Sequence, residues 1–183
     1  MEDSSTAPKD RRKVFFGWKI VAAGGVLNAL AAGAYFTGFS VYFLPVTRDF
    51  GRSRAAISLA HGLGRLEGGF EGPLAGYMVD RLGPRKMVAF GGITAGVGFI
   101  LLGFTQSFAM FLLVYVGVLS VGMNAGFNHG IGAAINNWFV RRKGFAMSIT
   151  YMGQSIGGAT ITPAVAFIVL SAGWRPAAII SGV

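Results

Sequence analysis

Five apolar blocks, each long enough to cross a bilayer, leave this chain few folds to choose from. They cover residues 20–44, 55–79, 87–104, 108–135 and 145–170. About 20 apolar residues span the hydrocarbon core as a helix. Backbone polar groups in lipid must be satisfied within the segment, which for blocks of this length means helices. A sixth block starts at residue 177 and the sequence stops at Val183. So short a piece, at about 1.5 Å per residue, cannot cross about 30 Å of hydrocarbon. The expectation is an all-α membrane protein with five complete spans plus the start of a sixth, in a chain that reads as truncated.

The ends of the blocks place the rest. Residues 1–13 are polar, finish in Arg11, Arg12 and Lys13, and read as a disordered cytoplasmic tail. Residues 14–183 form the transmembrane bundle. Lys19 interrupts the first block but can snorkel to the interface, where Trp18 suits the aromatic belt. A signal peptide cleaved near Ala29-Leu30-Ala31 fits poorly, because the apolar run continues well beyond that site. Uncharged Thr105-Gln106-Ser107 reads as a tight turn, as does Gly173-Trp174-Arg175-Pro176, with proline at a first helical position. Residues 45–53, 80–86 and 141–143 read as the charged loops.

Composition closes off other classes. Charged residues make up 13% of the 183, against about a quarter in soluble domains, and the mean hydropathy is +0.58. A disordered chain and an ordinary soluble globule are both excluded. With no cysteine there are no disulfides and no thiolate metal sites. A net charge of +9 can signal nucleic acid, but its placement says otherwise. Lys9, Arg11, Arg12, Lys13, Arg81, Arg85, Lys86, Arg141, Arg142 and Lys143 fall on the tail's side, and only Arg48, Arg52, Arg54 and Arg175 on the other. Basic residues collect in cytoplasmic loops, so the N-terminus is expected in the cytoplasm of a multi-pass protein of the inner or plasma membrane. The partner is the lipid bilayer, not nucleic acid.

The chemistry concentrates in the second block, which holds His61, Arg65, Glu67 and Glu71. Each charge inside a membrane costs about 2.5 kcal/mol or more on insertion scales, so each must meet a partner or water. At about 100° per residue His61 and Arg65 share one helix face and Glu67 and Glu71 another. Two readings stand: a cavity-lining cluster for an anion or a proton, or structural pairing with neighbouring helices. Asn28, Tyr35, Asn124, Asn128, His129 and Gln154 are the other polar residues within blocks; Asn28, Tyr35, Asn124 and Gln154 could line a pathway or hydrogen-bond across helices, whereas His129, close to the cytoplasmic end, reads as an interfacial histidine with no special role. Gly64, Gly68, Gly72 and Gly76 recur every fourth residue, as do Gly122, Gly126 and Gly130, and Gly25, Ala29 and Gly33. Such faces let helices approach closely. Pro73 predicts a bend near Gly68 and Gly69. No nucleotide-binding glycine pattern, His-Glu-x-x-His or Gly-x-Ser-x-Gly occurs, so neither an enzyme nor a cofactor is expected.

One motif is specific. Gly76-Tyr77-Met78-Val79-Asp80-Arg81-Leu82-Gly83-Pro84-Arg85-Lys86 resembles the signature of the major facilitator superfamily between its second and third spans, departing from it at Pro84. Phe16-Gly17-Trp18-Lys19-Ile20-Val21 and Trp138-Phe139-Val140-Arg141-Arg142-Lys143-Gly144-Phe145-Ala146 are similar to its bacterial monocarboxylate-transporter and oxalate–formate-antiporter branch. The resemblance implies the N-terminal six-helix bundle of a twelve-span fold, whose C-terminal half is missing here. It also implies secondary active transport of a small, monocarboxylate-like organic anion by alternating access. Asp80 takes the place of the gating acid, in a motif comprising Gly76, Asp80, Arg81, Gly83, Arg85 and Lys86. Arg65 would then be the positive charge for substrate, and Glu67 or Glu71 the proton-coupling group. The alternative is a non-transporting membrane module, or a half-transporter that needs a partner chain.

Overall fold

The computed structural model describes residues 16–183, which form helices and no strand; the tail read over residues 1–13 lies outside them. The first membrane run joins α1 (Phe16–Ala31), a wide π-helical turn π1 (Ala32–Phe36) and α2 (Phe39–Asp49). Next come α3 (Arg54–Leu82) and α4 (Pro84–Gly103). The run Phe108–Trp138 is composite, built from α5 (Phe108–Val114), π2 (Tyr115–Ser120), π3 (Met123–Gly130) and α6 (Ile131–Trp138). Beyond it lie α7 (Lys143–Ala172) and α8 (Trp174–Gly182). Among the described residues, four runs are long and apolar enough to cross a membrane: Phe16–Asp49, Pro84–Gly103, Phe108–Trp138 and Lys143–Ala172. At 29 residues, α3 is about 43 Å long and matches them in length. Its charged side chains set it apart.

Several boundaries differ from the sequence reading. The expected loop at 45–53 shrinks to residues 50–53, because α2 continues through Pro45 to Asp49. Tyr42 and Val46, both buried, hold that turn against the core and outweigh the missing proline donor. The loop expected over 80–86 is a single residue. Gly83, at φ +83°, ends α3 and Pro84 opens α4, a first-turn place where its absent N–H costs nothing. Gly173, at φ +93°, does the same between α7 and α8. Helix α8 therefore starts at Trp174, with Pro176 third in the helix rather than first. Helix α3 runs through Pro73 without a break.

Small residues set the helix spacing where backbones meet. A Cβ built on Gly157 would sit 2.5 Å from the Ala29 carbonyl carbon, and one on Gly122 would sit 2.6 Å from the Ala95 nitrogen. These contacts bring α1 onto α7 and α4 onto π3. The expected packing face on α3 is only half used: Gly64 and Gly68 are crowded, whereas Gly76 has nothing within 4 Å. The largest core cluster includes Tyr35, Phe39, Phe111, Tyr115 and Trp174. At its edge Arg175 Nη2 lies 2.8 Å from Asp49 Oδ2 and donates to the Thr105 carbonyl at 3.2 Å. That arginine joins the end of α2, the α4–α5 turn and the start of α8. Both charges are partly exposed, so Arg175→Ala should cost only about 1 kcal/mol, read as a fall of a few degrees in the thermal midpoint in detergent.

Candidate functional site

A polar seam runs between α3 and the composite run Phe108–Trp138, with one residue supplied by π1. It starts near the first turns of α3. There His61 Nδ1 and the Tyr115 hydroxyl share a hydrogen bond of 2.8 Å. The His61 ring stacks on Phe39 at 4.3 Å between centroids, and Tyr115 stacks on Tyr35 at 5.5 Å. The Tyr35 hydroxyl is buried beside Ser120 and Tyr115 without a well-aligned hydrogen bond.

One turn along α3, Ser120 Oγ donates to the Gly64 carbonyl at 2.7 Å. Asn124 Nδ2 reaches the same carbonyl at 3.3 Å, Ser120 Oγ at 3.2 Å and Glu67 Oε2 at 3.5 Å. An amide group has two protons for these three acceptors, so they are shared. Glycine is required opposite this network, because a Cβ on Gly68 would lie 2.5 Å from Asn124 Nδ2. Glu71 follows one turn after Glu67, its Oε2 buried beside the Glu67 carboxyl with no donor. Among the described residues neither glutamate forms an ion pair.

On the flank of this seam opens a cleft of about 350 Å³, lined by Phe36, Arg65, Gly68, Gly69, Asn124, Asn128 and His129. The Arg65 guanidinium lies 6.0 Å from the centre of the Phe36 ring. Among the described residues it has no carboxylate within ion-pair distance and no hydrogen bond. A cation held over an aromatic face, with amides across from it, can take a small anion.

The wide turns matter here. Tyr35, Tyr115, Ser120, Asn124, Asn128 and His129 all lie on π1, π2 or π3. Helical segments with i→i+5 bonding are rare and are frequent at functional sites. The apolar pattern cannot reveal them, because a wide turn uses the same residue types as a normal one.

Of the residues expected to line a pathway, Tyr35, Glu67 and Asn124 meet in the seam, Glu71 continues it, and Arg65 faces the adjoining cleft. Asn28 and Gln154 take no part. Asn28 is buried, its amide nitrogen without a hydrogen bond among the described residues, and Gln154 is half-buried. Tyr115 and Ser120 were missed by sequence reasoning, although Tyr115, Ser120 and Asn124 recur at intervals of five and four in an otherwise apolar run. In the loop motif Asp80, Arg81, Arg85 and Lys86 are exposed, with no ion pair among them; Arg81 lies over the Tyr77 ring at 5.0 Å.

Residues 18–183 match the family model described as Major Facilitator Superfamily. Among similar proteins is a probable sulfoacetate transporter of Cupriavidus necator, 37% identical over 60% of this chain and 25% of its own length. Monocarboxylate transporter 6 of Mus musculus is 29% identical over 91% of the chain and 35% of its own length. The oxalate:formate antiporter of Oxalobacter formigenes is 26% identical over 82% and 35%. The chain thus spans about a third or less of the length of these relatives, which are transporters rather than enzymes.

Proposed function

The chain belongs to the Major Facilitator Superfamily, and from that premise we propose that it forms the N-terminal bundle of a secondary transporter for small organic anions. Carboxylates and sulfonates are the substrate class. The observation carrying this reading is Arg65, a guanidinium in a glycine-floored cleft with no acid of its own among the described residues. The relatives' names point to the same class, since sulfoacetate, monocarboxylates, oxalate and formate are all small acids. Arg65 takes the carboxylate or sulfonate; Asn124 and Asn128 orient it.

Transport is by alternating access, with substrate held between this bundle and a second one in the complete protein. The N-terminus is cytoplasmic, which the distribution of basic residues supports. Asp80, exposed near the end of α3 and without an ion pair among the described residues, is the gate. Its charge meets a partner in one state and loses it in the other, which biases a two-state equilibrium. Glu67 and Glu71 carry the coupled proton.

Uptake by the complete transporter tests the binding role. Removing one partner of a charged hydrogen bond costs about 1.5–3 kcal/mol. Arg65→Gln should therefore lower kcat/KM for carboxylate uptake roughly ten- to hundredfold, and Arg65→Lys should lower it less. Unchanged uptake by Arg65→Gln would remove Arg65 from the site.

A further inference from the structure

Asn124 belongs to both halves of the site. It lines the cleft of about 350 Å³ that holds Arg65, and its amide nitrogen lies 3.5 Å from Glu67 Oε2. The residue is 6% exposed and sits on π3. Its amide rests against the bare backbone of α3, where a Cβ on Gly68 would lie 2.5 Å from Nδ2 and 2.6 Å from Cγ. Gly68 lines the same cleft, so the amide is pinned where the cleft and the glutamate meet.

The donor count makes this position sensitive. Nδ2 carries two protons and faces three acceptors: the Gly64 carbonyl at 3.3 Å, Ser120 Oγ at 3.2 Å and Glu67 Oε2 at 3.5 Å. Ser120 Oγ already donates to the Gly64 carbonyl at 2.7 Å, so Asn124 can leave that carbonyl without orphaning it. Glu67 has no such reserve. Among the described residues Asn124 is the only amide or hydroxyl donor bonded to its carboxyl, whose other near neighbour is the acid Glu71. Resting on the reading of Arg65 and the glutamates above, we propose that Asn124 couples the two. The bound anion draws the amide protons away from Glu67, and the glutamate pair then takes up the transported proton.

The direction follows from the acceptors. A substrate carboxylate or sulfonate beside Arg65 is charged, and a charged acceptor holds an N–H more strongly than a carbonyl or hydroxyl does. The bond to Glu67 is the longest of the three and is lost first. A carboxylate without a donor inside the membrane is costly, and a proton from water removes its charge. The proton in turn leaves Asn124 free for the anion, so each ligand raises the other's affinity by the same factor. The other groups around the pair do not take this part. On α3 they are His61 and Arg65; π1 and π2 bring Tyr35 and Tyr115, and π3 brings His129. Helices α2 and α4, also packed on α3, carry charge only at Arg48 and Asp49, and at Arg85 and Lys86. Among the described residues none of these forms an ion pair with Glu67 or Glu71.

Isothermal titration calorimetry on the complete transporter in detergent reads the coupling without requiring transport. The probe is whichever of acetate, oxalate and sulfoacetate that protein takes up. Titration in two buffers of different ionisation enthalpy, at neutral and acid pH, gives the protons taken up per anion bound. In the unaltered protein affinity should rise by up to tenfold for each unit of acidification, with up to one proton bound. In Asn124→Leu, close in size but without a donor, affinity should fall about tenfold, stay flat with pH and bring in no proton. An asparagine that only held the helices together would weaken binding at every pH and leave proton uptake intact. Should Asn124→Leu fail to assemble, Asn124→Ala, which only removes atoms, carries the same test. Proton uptake that persists in an assembled Asn124 variant would overturn the coupling role, as would anion binding without proton uptake in the unaltered protein. If Arg65→Gln weakens binding in the same assay, the reading of Arg65 stands in either case. Binding that neither Arg65→Gln nor Asn124→Leu alters would overturn both.

Discussion

Gly157→Val will force α1 and α7 apart and leave the protein unable to hold its assembled form in detergent at ordinary temperatures. The obstruction is backbone: a first side-chain carbon at 157 lies 2.5 Å from both the Cα and the carbonyl carbon of Ala29. Carbon atoms pack at about 3.5–4.0 Å, so the helices must separate by about 1 Å along their most intimate stretch. Overpacking costs about 1–3 kcal/mol even where neighbouring side chains can yield, and here none can. Even Gly157→Ala should destabilise, although alanine gains about 1 kcal/mol over glycine in helix propensity. Gly62→Ala is the control, for nothing lies within 4 Å of that position; there propensity should win and the thermal midpoint rise. Size-exclusion chromatography and thermal unfolding of the three variants read the signs directly. A stable, monodisperse Gly157→Val protein would show that α1 and α7 are not packed as described.

The second large effect is expected at the glutamate pair. Glu67 and Glu71 lie one turn apart, Glu67 meets Asn124 from π3, and the two are the proposed proton carriers. The other titratable groups of the seam are His61 and Arg65 on the same helix, His129 on π3, Tyr115 on π2 and Tyr35 on π1. Each pH unit across the membrane corresponds to 1.36 kcal/mol per proton, so one proton per substrate supports about tenfold accumulation for each unit. Glu71→Gln removes the carboxyl with the unbonded buried oxygen and should abolish that accumulation while anion exchange continues. Glu67→Gln should do the same less completely, because an amide at 67 can still meet Asn124. Inward transport should rise with external acidity in the unaltered protein and become flat in Glu71→Gln. If both variants keep the full pH dependence, the proton travels elsewhere.

How far the sequence foretold these sites differs from element to element. Hydropathy located four of the five expected membrane runs, because apolar length is a property of composition alone; α3 matches them in length but not in apolar character. Hydropathy could not see that α3 and α4 are separated by Gly83 only, since charged residues at a membrane surface look alike in a loop and in a helix end. The spacing of Arg65, Glu67 and Glu71 separated the arginine from the glutamates, for that needs only the pitch of α3, but it paired His61 with Arg65, whereas His61 joins Tyr115 in the seam that holds Glu67. Their partners were illegible, because Tyr115, Ser120 and Asn124 depend on π turns whose extra residue shifts every later side chain around the axis. Glycine periodicity overreached for a related reason. Spacing says that a face is smooth; Gly76 shows that a smooth face can front an open groove.

The one-residue connection at Gly83 bears on how the protein is made. Arg65, Glu67 and Glu71 in α3 weigh against partitioning into lipid on its own, since each such charge adds about 2.5 kcal/mol or more near the middle of a span. The 20 residues of α4 carry basic side chains only at their start and no acid at all. Tied so closely, the two are expected to insert together. The expected route is a hairpin, with the oily arm drawing in the charged one.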